Sequence, residues 1–343
     1  MRTHTLHLNH RAVRLGAIAL LVSAALAAGP GAASASYGWP VKPFHRQHPV
    51  RGSFGDPRTV FTAPPTADGV LHGAGHFSFH EGIDISAPNG TRVYPVRDGR
   101  VTVASLEKSR ERVVVVSADG VSFEYWHLTP HVRVGEWVVA DRTVLGTILK
   151  PAGHVHLTEV DAGRIVNPLT AGHIGPYRDE TVPRVEAIGL QLATGNAAMV
   201  NFVRGRVALV AEAYDTPAIP VPGIWQGLPV APALVTWRIQ KARGKVVVPE
   251  HVAADFRSTI PPDAAFWSVY ARGTFQNMAV FGQHYSYLEP GCFLFKLTQA
   301  PFDTTQLRDG VYDLVVTATD IRGNSSSRSQ RFTVHNRPGW IGS

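Results

Sequence analysis

Cysteine is almost missing from this chain: Cys292 stands alone among 343 residues. A single thiol excludes an intrachain disulfide and any cysteine-rich zinc site, and is expected as a small buried hydrophobe rather than a nucleophile. Charge is also sparse, at 17% of residues with a formal net charge of +7. Arg2, Arg11 and Arg14 lie in a first segment without acids, and removing these three from +7 leaves +4. That balance suits an anionic surface and is too weak to indicate nucleic acid. Long apolar runs are absent except for Leu15 to Ala28, fourteen residues, against the ~20 needed to span a bilayer core. No sustained period near 3.6 runs through residues 36–168, which argues against a site built on a helix.

What is present indicates a folded, exported β protein. Hydrophobic residues make up 44% of the chain, enough for packed cores and too many for a disordered chain. Its length accommodates two domains. Residues 1–35 read as a signal peptide: arginines, then the apolar run, then Ala33-Ser34-Ala35 as a cleavage site. Its removal leaves a secreted, cell-wall-associated protein without stable membrane insertion, and a monomer is expected.

From residue 36 to 174 short β segments alternate with turns. Asp98-Gly99 and Asp119-Gly120 sit between β-branched or aromatic stretches, a strong hairpin signal. The second turn leads into Val121 to His127, which places His127 on the face of Phe123 and Tyr125. Residues 175–183 are polar, bracketed by Pro176 and Pro183, and read as a linker. In 184–343, Val207, Leu209, Ala211 and Ala213 share one face, as do Tyr312, Leu314, Val316 and Ala318. Arg322-Gly323-Asn324 turns the chain between the last strands. This spacing predicts a β-sandwich, and its ending resembles immunoglobulin-like or fibronectin-like modules. Trp225, Trp237 and Trp267 are expected in its core.

Two separated stretches carry chemistry. Phe79-His80-Glu81-Gly82-Ile83-Asp84-Ile85 sets a histidine and an aspartate four apart, on one face of a strand. Gly153-His154-Val155-His156 sets two histidines two apart, facing one way while Val155 and Leu157 face the other. His80, Asp84 and His156 are together suited to one zinc ion, and three protein ligands leave an open fourth position. His127 by itself reads as a core-edge histidine hydrogen-bonded to backbone; beside a zinc site, a histidine on a neighbouring strand can instead act as general base or steady the oxyanion. His72 and His76 lie in a glycine- and proline-rich insertion, Thr59 to Phe77, and lack a matched partner.

Residues 50–168 resemble the lysostaphin-type (LytM-like) zinc metalloendopeptidases that cut bacterial cell-wall peptides. Gly52-Ser53-Phe54-Gly55 is similar to the family's opening turn, and His80-Glu81-Gly82-Ile83-Asp84 to its histidine-x-glycine-isoleucine-aspartate element. Tyr125-Trp126-His127-Leu128 and His154-Val155-His156 follow in the family's order. Leu157-Thr158 departs from the family's frequent phenylalanine-glutamate.

The resemblance implies an all-β fold: an antiparallel β cradle of the duplicated hybrid motif type, followed by an immunoglobulin-like β-sandwich. It also implies His80, Asp84 and His156 as ligands of one Zn2+ per chain, with His127 and His154 as the unligated catalytic pair. The implied function is hydrolysis of peptide bonds in peptidoglycan by attack of zinc-bound water. A non-catalytic wall-binding or hydrolase-activating protein using the same groove is the alternative.

Overall fold

A computed structural model of the chain describes residues 37–62, 73–105, 112–116, 120–192, 198–281, 284–285 and 290–336. The expected signal peptide 1–35, His72 and the Ala118-Asp119 part of the second hairpin turn lie outside the described residues. Among the described residues no helix is long and apolar enough to cross a membrane.

The first half curls around an eight-stranded antiparallel sheet. Its centre runs Val50–Gly52, Ile83–Ser86, His154–Asp161, Ser122–Trp126, Arg112–Val116. Alternation along these strands sets the two faces. Ile83, Ile85, Phe123, Tyr125, Val155 and Leu157 are fully buried in one core with Trp39, Val93 and Leu128. Each such side chain contributes roughly 1.5–3 kcal/mol through its removal from water. The residues between them, Asp84, His154 and His156, fall on the opposite face. A three-stranded sheet, Arg92–Val93, Gly146–Ile148 and Leu128–Pro130, closes the cradle.

The second half consists of two antiparallel sheets around one core. Leu234–Lys241, Val246–Asp255, Gly310–Thr319 and Ser325–Val334 form one sheet. Arg184–Gln191, Arg206–Tyr214 and Leu294–Lys296 form the other, with Phe302–Asp303 at its edge. Leu209, Ala211 and Ala213 meet Val235, Ile239, Leu314, Val316 and Ala318 between them. Of the three tryptophans, Trp237 is buried in this core and Trp267 packs at its margin. Trp225 lies elsewhere, as described below. Cys292 is half-buried, and burial pushes its thiol up to about 12.

Ser34–Ser343 is one compact unit, and the contacts joining its halves are specific. Pro57–Phe61 pairs antiparallel with Gly75–Phe79 and parallel with Val280–Phe281, so a strand from the second half extends an N-terminal hairpin. Phe54 and Phe79 belong to the second core, not the first. The Phe79 ring packs 5.4 Å from Phe266 and 5.9 Å from both Phe256 and Tyr270. Gly55 lets the opening turn approach: its φ is +88°, and a Cβ there would fall 2.5 Å from the Phe256 ring. Asp56, fully buried, accepts from Ala231 N at 2.7 Å, and the Tyr270 hydroxyl donates to Gly55 O at 2.7 Å. Within 175–183, Arg322 Nε donates to Tyr177 O and Asn324 Nδ2 donates to Asp179 O. The turn foreseen at 322–324 therefore grips this stretch.

Candidate metal centre

The strand register fixes the site. His156 stands directly opposite Asp84 on one side and Trp126 on the other. His80 precedes the Ile83–Ser86 strand, and Gly82 between them allows close passage: a Cβ there would fall 2.2 Å from Leu157 O and 2.9 Å from His156 Nε2. His80 Nε2, Asp84 Oδ1 and His156 Nδ1 converge, separated by 2.8, 3.0 and 3.1 Å. A tetrahedral zinc with nitrogen and oxygen ligands near 2.0–2.1 Å has ligand atoms about 3.3 Å apart. The triangle is of the right size.

Outer hydrogen bonds decide which ring nitrogens are free. His80 Nδ1–H donates to Ser53 O at 2.8 Å, leaving Nε2 with its lone pair. His156 Nε2–H donates to Thr158 Oγ1 at 2.8 Å, leaving Nδ1 with its lone pair. Two lone pairs and a carboxylate oxygen thus face one another without a proton to share, an arrangement that a cation relieves. Burial, with the nearby Arg58 charge, lowers the His80 pKa to about 3, so the ring stays neutral. Burial opposes ionisation of Asp84, but the adjacent Arg58 guanidinium favours it, and the carboxyl lies well below the usual range. Arg58 Nη2 donates to Asp84 Oδ2 at 2.7 Å, directing Oδ1 at the histidines. The donor set fits zinc, and the unbound edge faces open groove.

His127 and His154 lie beside this triangle, with ring centroids 4.5 Å apart. His154 Nδ1–H donates to Ala152 O at 2.8 Å, which turns Nε2 toward Asp84 Oδ1, 3.5 Å away. His127 departs from the expectation that it shares a face with Phe123 and Tyr125. Those two are core residues, whereas the strand ends at Trp126 and His127 has φ 65°. This left-handed backbone, uncommon for a residue with a Cβ, swings the imidazole out of the sheet's alternation and into the groove. Burial, and next the neighbouring His154, lowers its pKa to about 4.

The groove has a volume of about 660 Å³. One wall is the cradle, with Trp126, His127 and Glu81. The strand Gly75–Phe79, at the end of the Thr59 to Phe77 insertion, supplies Ser78 and His76, so His76 is strand rather than free loop. Trp225, Asp263, Gln276, Asn277 and Met278 come from the second half. Met278 also has a left-handed backbone, φ 50°. Arg51, Arg58 and these second-half residues were missed by sequence reasoning. Only Arg51 and Arg58 carried a signal, as cations flanking the opening glycine-phenylalanine-glycine turn.

Residues 78–168 match the sequence profile of Peptidase family M23. Among solved structures, the chain is similar to the catalytic domain of the antimicrobial peptidase lysostaphin from Staphylococcus simulans. The identity is 23%, over 30% of this chain and 79% of that one, with a TM-score of 0.22. It is similar to the catalytic domain of a variant of the prophage-encoded M23 protein EnpA from Enterococcus faecalis, at 28% identity over 33% of this chain and 92% of that one, TM-score 0.24. A third similarity is to the SpoIIQ–SpoIIIAH pore-forming complex, at 23% identity over 39% of this chain and 89% of that one, TM-score 0.30.

Proposed function

Starting from residues 78–168 as a Peptidase family M23 domain, we propose that this chain is an exported zinc metalloendopeptidase that hydrolyses peptide bonds of peptidoglycan. His80, Asp84 and His156 hold one zinc ion; His127 and His154 are its proton-handling pair. The observation that carries this reading is the triangle of three acceptor atoms, each fixed by an outer hydrogen bond and lacking a proton between them. Zinc bound there supplies Lewis acidity, lowering the pKa of a bound water to about 7 and polarising a carbonyl.

The remaining chemistry belongs to the chain. Arg58 keeps the Asp84 carboxylate ionised and oriented. His127, neutral at physiological pH, accepts a proton and passes it to the leaving amine. His154, locked by Ala152 O, presents Nε2 beside the reacting groups, where a positioned imidazole contributes ~10²–10⁴-fold as acid or base. The linker and sandwich hold the second half against the groove, which serves as a binding surface for wall peptides.

The test is zinc content measured together with turbidity loss of purified peptidoglycan, for the chain without residues 1–35 and its His156→Ala variant. One zinc per chain, with both zinc and lysis lost in the variant, is expected. Bound zinc without cleavage of several wall types indicates the binding or activating role instead; absence of zinc refutes the centre.

A further inference from the structure

Arg51 is a cation without a carboxylate partner, among the described residues, in the wall of the proposed active site. Its guanidinium carbon lies 4.1 Å over the Trp225 ring. Its Nη2 abuts His154 Nδ1 at 2.5 Å and Nε2 at 3.4 Å, contacts to an imidazole that bring no counter-charge. Its Nε is buried without an acceptor. Among the described residues no carboxylate lies within ion-pair distance of it, and the nearby Asp84 is taken by Arg58 at 2.7 Å. Burial lowers the Arg51 pKa to about 10, which leaves the group fully charged at neutral pH.

A largely desolvated charge without a counter-charge is costly. What holds Arg51 there is the aromatic face of a residue 174 positions later in the chain, on the short turn Gly223–Trp225. Stacking fixes the plane of a guanidinium that lines the groove, and a planar, fixed guanidinium is suited to a carboxylate.

We infer that Arg51, clamped by Trp225, is a specificity-determining residue that binds a carboxylate of the substrate peptide and selects wall peptides bearing a free carboxylate near the scissile bond. This rests on the reading of the groove as a peptide site. It gives the second half of the chain a part in substrate choice, since Trp225 belongs to it. A hydrogen-bonded charge pair of this kind corresponds to roughly ten- to hundredfold in affinity.

The experiment uses the zinc-loaded chain carrying His127→Asn, which silences turnover while tolerating the left-handed backbone. Fluorescence anisotropy compares a labelled peptidoglycan stem tetrapeptide ending in a free carboxylate with the same peptide ending in a carboxamide. The carboxylate form is expected to bind ten- to hundredfold more tightly. Arg51→Gln should abolish the preference, Trp225→Leu should shrink it, and Arg51→Lys should retain part of it. Equal binding of the two peptides, binding of neither, or a preference that survives Arg51→Gln (direct capture by the metal) overturns the inference. If Arg51→Gln fails to fold, an undiminished preference in Trp225→Leu overturns it equally. Hydrolysis by the unsubstituted chain is scored separately: its absence with the preference intact refutes the peptidase reading alone.

Discussion

Thr158→Val tests the proposed centre without touching a ligand. The Thr158 hydroxyl is buried and accepts from His156 Nε2–H at 2.8 Å. Valine preserves the shape, so no cavity opens and the strand pairing of Thr158 with Glu124 persists. What is lost is the bond that fixes the His156 tautomer. The imidazole then places its proton on Nδ1 in part of the population, directed at His80 Nε2 and Asp84 Oδ1, which lie 2.8 and 3.0 Å away. That proton satisfies the facing acceptors and competes with metal. Loss of such an outer partner typically weakens metal binding 10–100-fold, or about 1.4–2.8 kcal/mol. Competition against a chromophoric zinc chelator measures it, with Thr158→Ser expected to restore affinity. An unchanged zinc affinity in Thr158→Val would refute the tautomer argument and with it the assignment of Nδ1 as the ligand atom.

Gly82→Ala should lower the unfolding temperature sharply, because its Cβ would fall 2.2 Å from Leu157 O; overpacking of this kind costs about 1–3 kcal/mol or more, and a melting curve reads it. With His127 as base, His127→Ala should keep one zinc per chain while lowering kcat ~10²–10⁴-fold; an unchanged kcat would exclude it. Tyr270→Phe leaves the Gly55 carbonyl without its buried donor and should cost about 1–3 kcal/mol in a urea titration. Burial raises the Asp215 pKa to about 7, so the strain is absent below the unfolded value near 3.8 and grows as pH rises toward 7. Asp215→Asn should therefore stabilise the protein at pH 8 and not at pH 3.5, as compared by thermal unfolding at the two values.

The cradle was legible because its chemistry is local. A two-residue alternation put Val155 and Leu157 in the core and left His154 and His156 together, and Gly82 marked a close passage. His127 was assigned to the wrong face, because alternation predicts orientation only while the strand continues, and this strand ends one residue earlier. Trp225 read as core by composition, since nothing near it in sequence shows that Arg51 waits beneath it. The groove's second wall was illegible for the same reason: Asp263 and Gln276 reach it through pairings with residues near 58 and 79, separations at which no periodicity carries information. Residues 175–183 have a linker's composition, yet their carbonyls are held by Arg322 and Asn324.

Phe79 and His80 are neighbours in the chain but answer to different cores. Phe79 is seated by Phe256, Phe266 and Tyr270, while His80 faces Asp84 and His156. The first half alone carries the candidate ligands His80, Asp84 and His156 and holds His80 through Ser53, Gly55 and Asp56, but it lacks the aromatic seat of Phe79. That seat is complete only once the chain has grown past Tyr270. A cut that releases the second half removes this seat while sparing all three candidate ligand side chains.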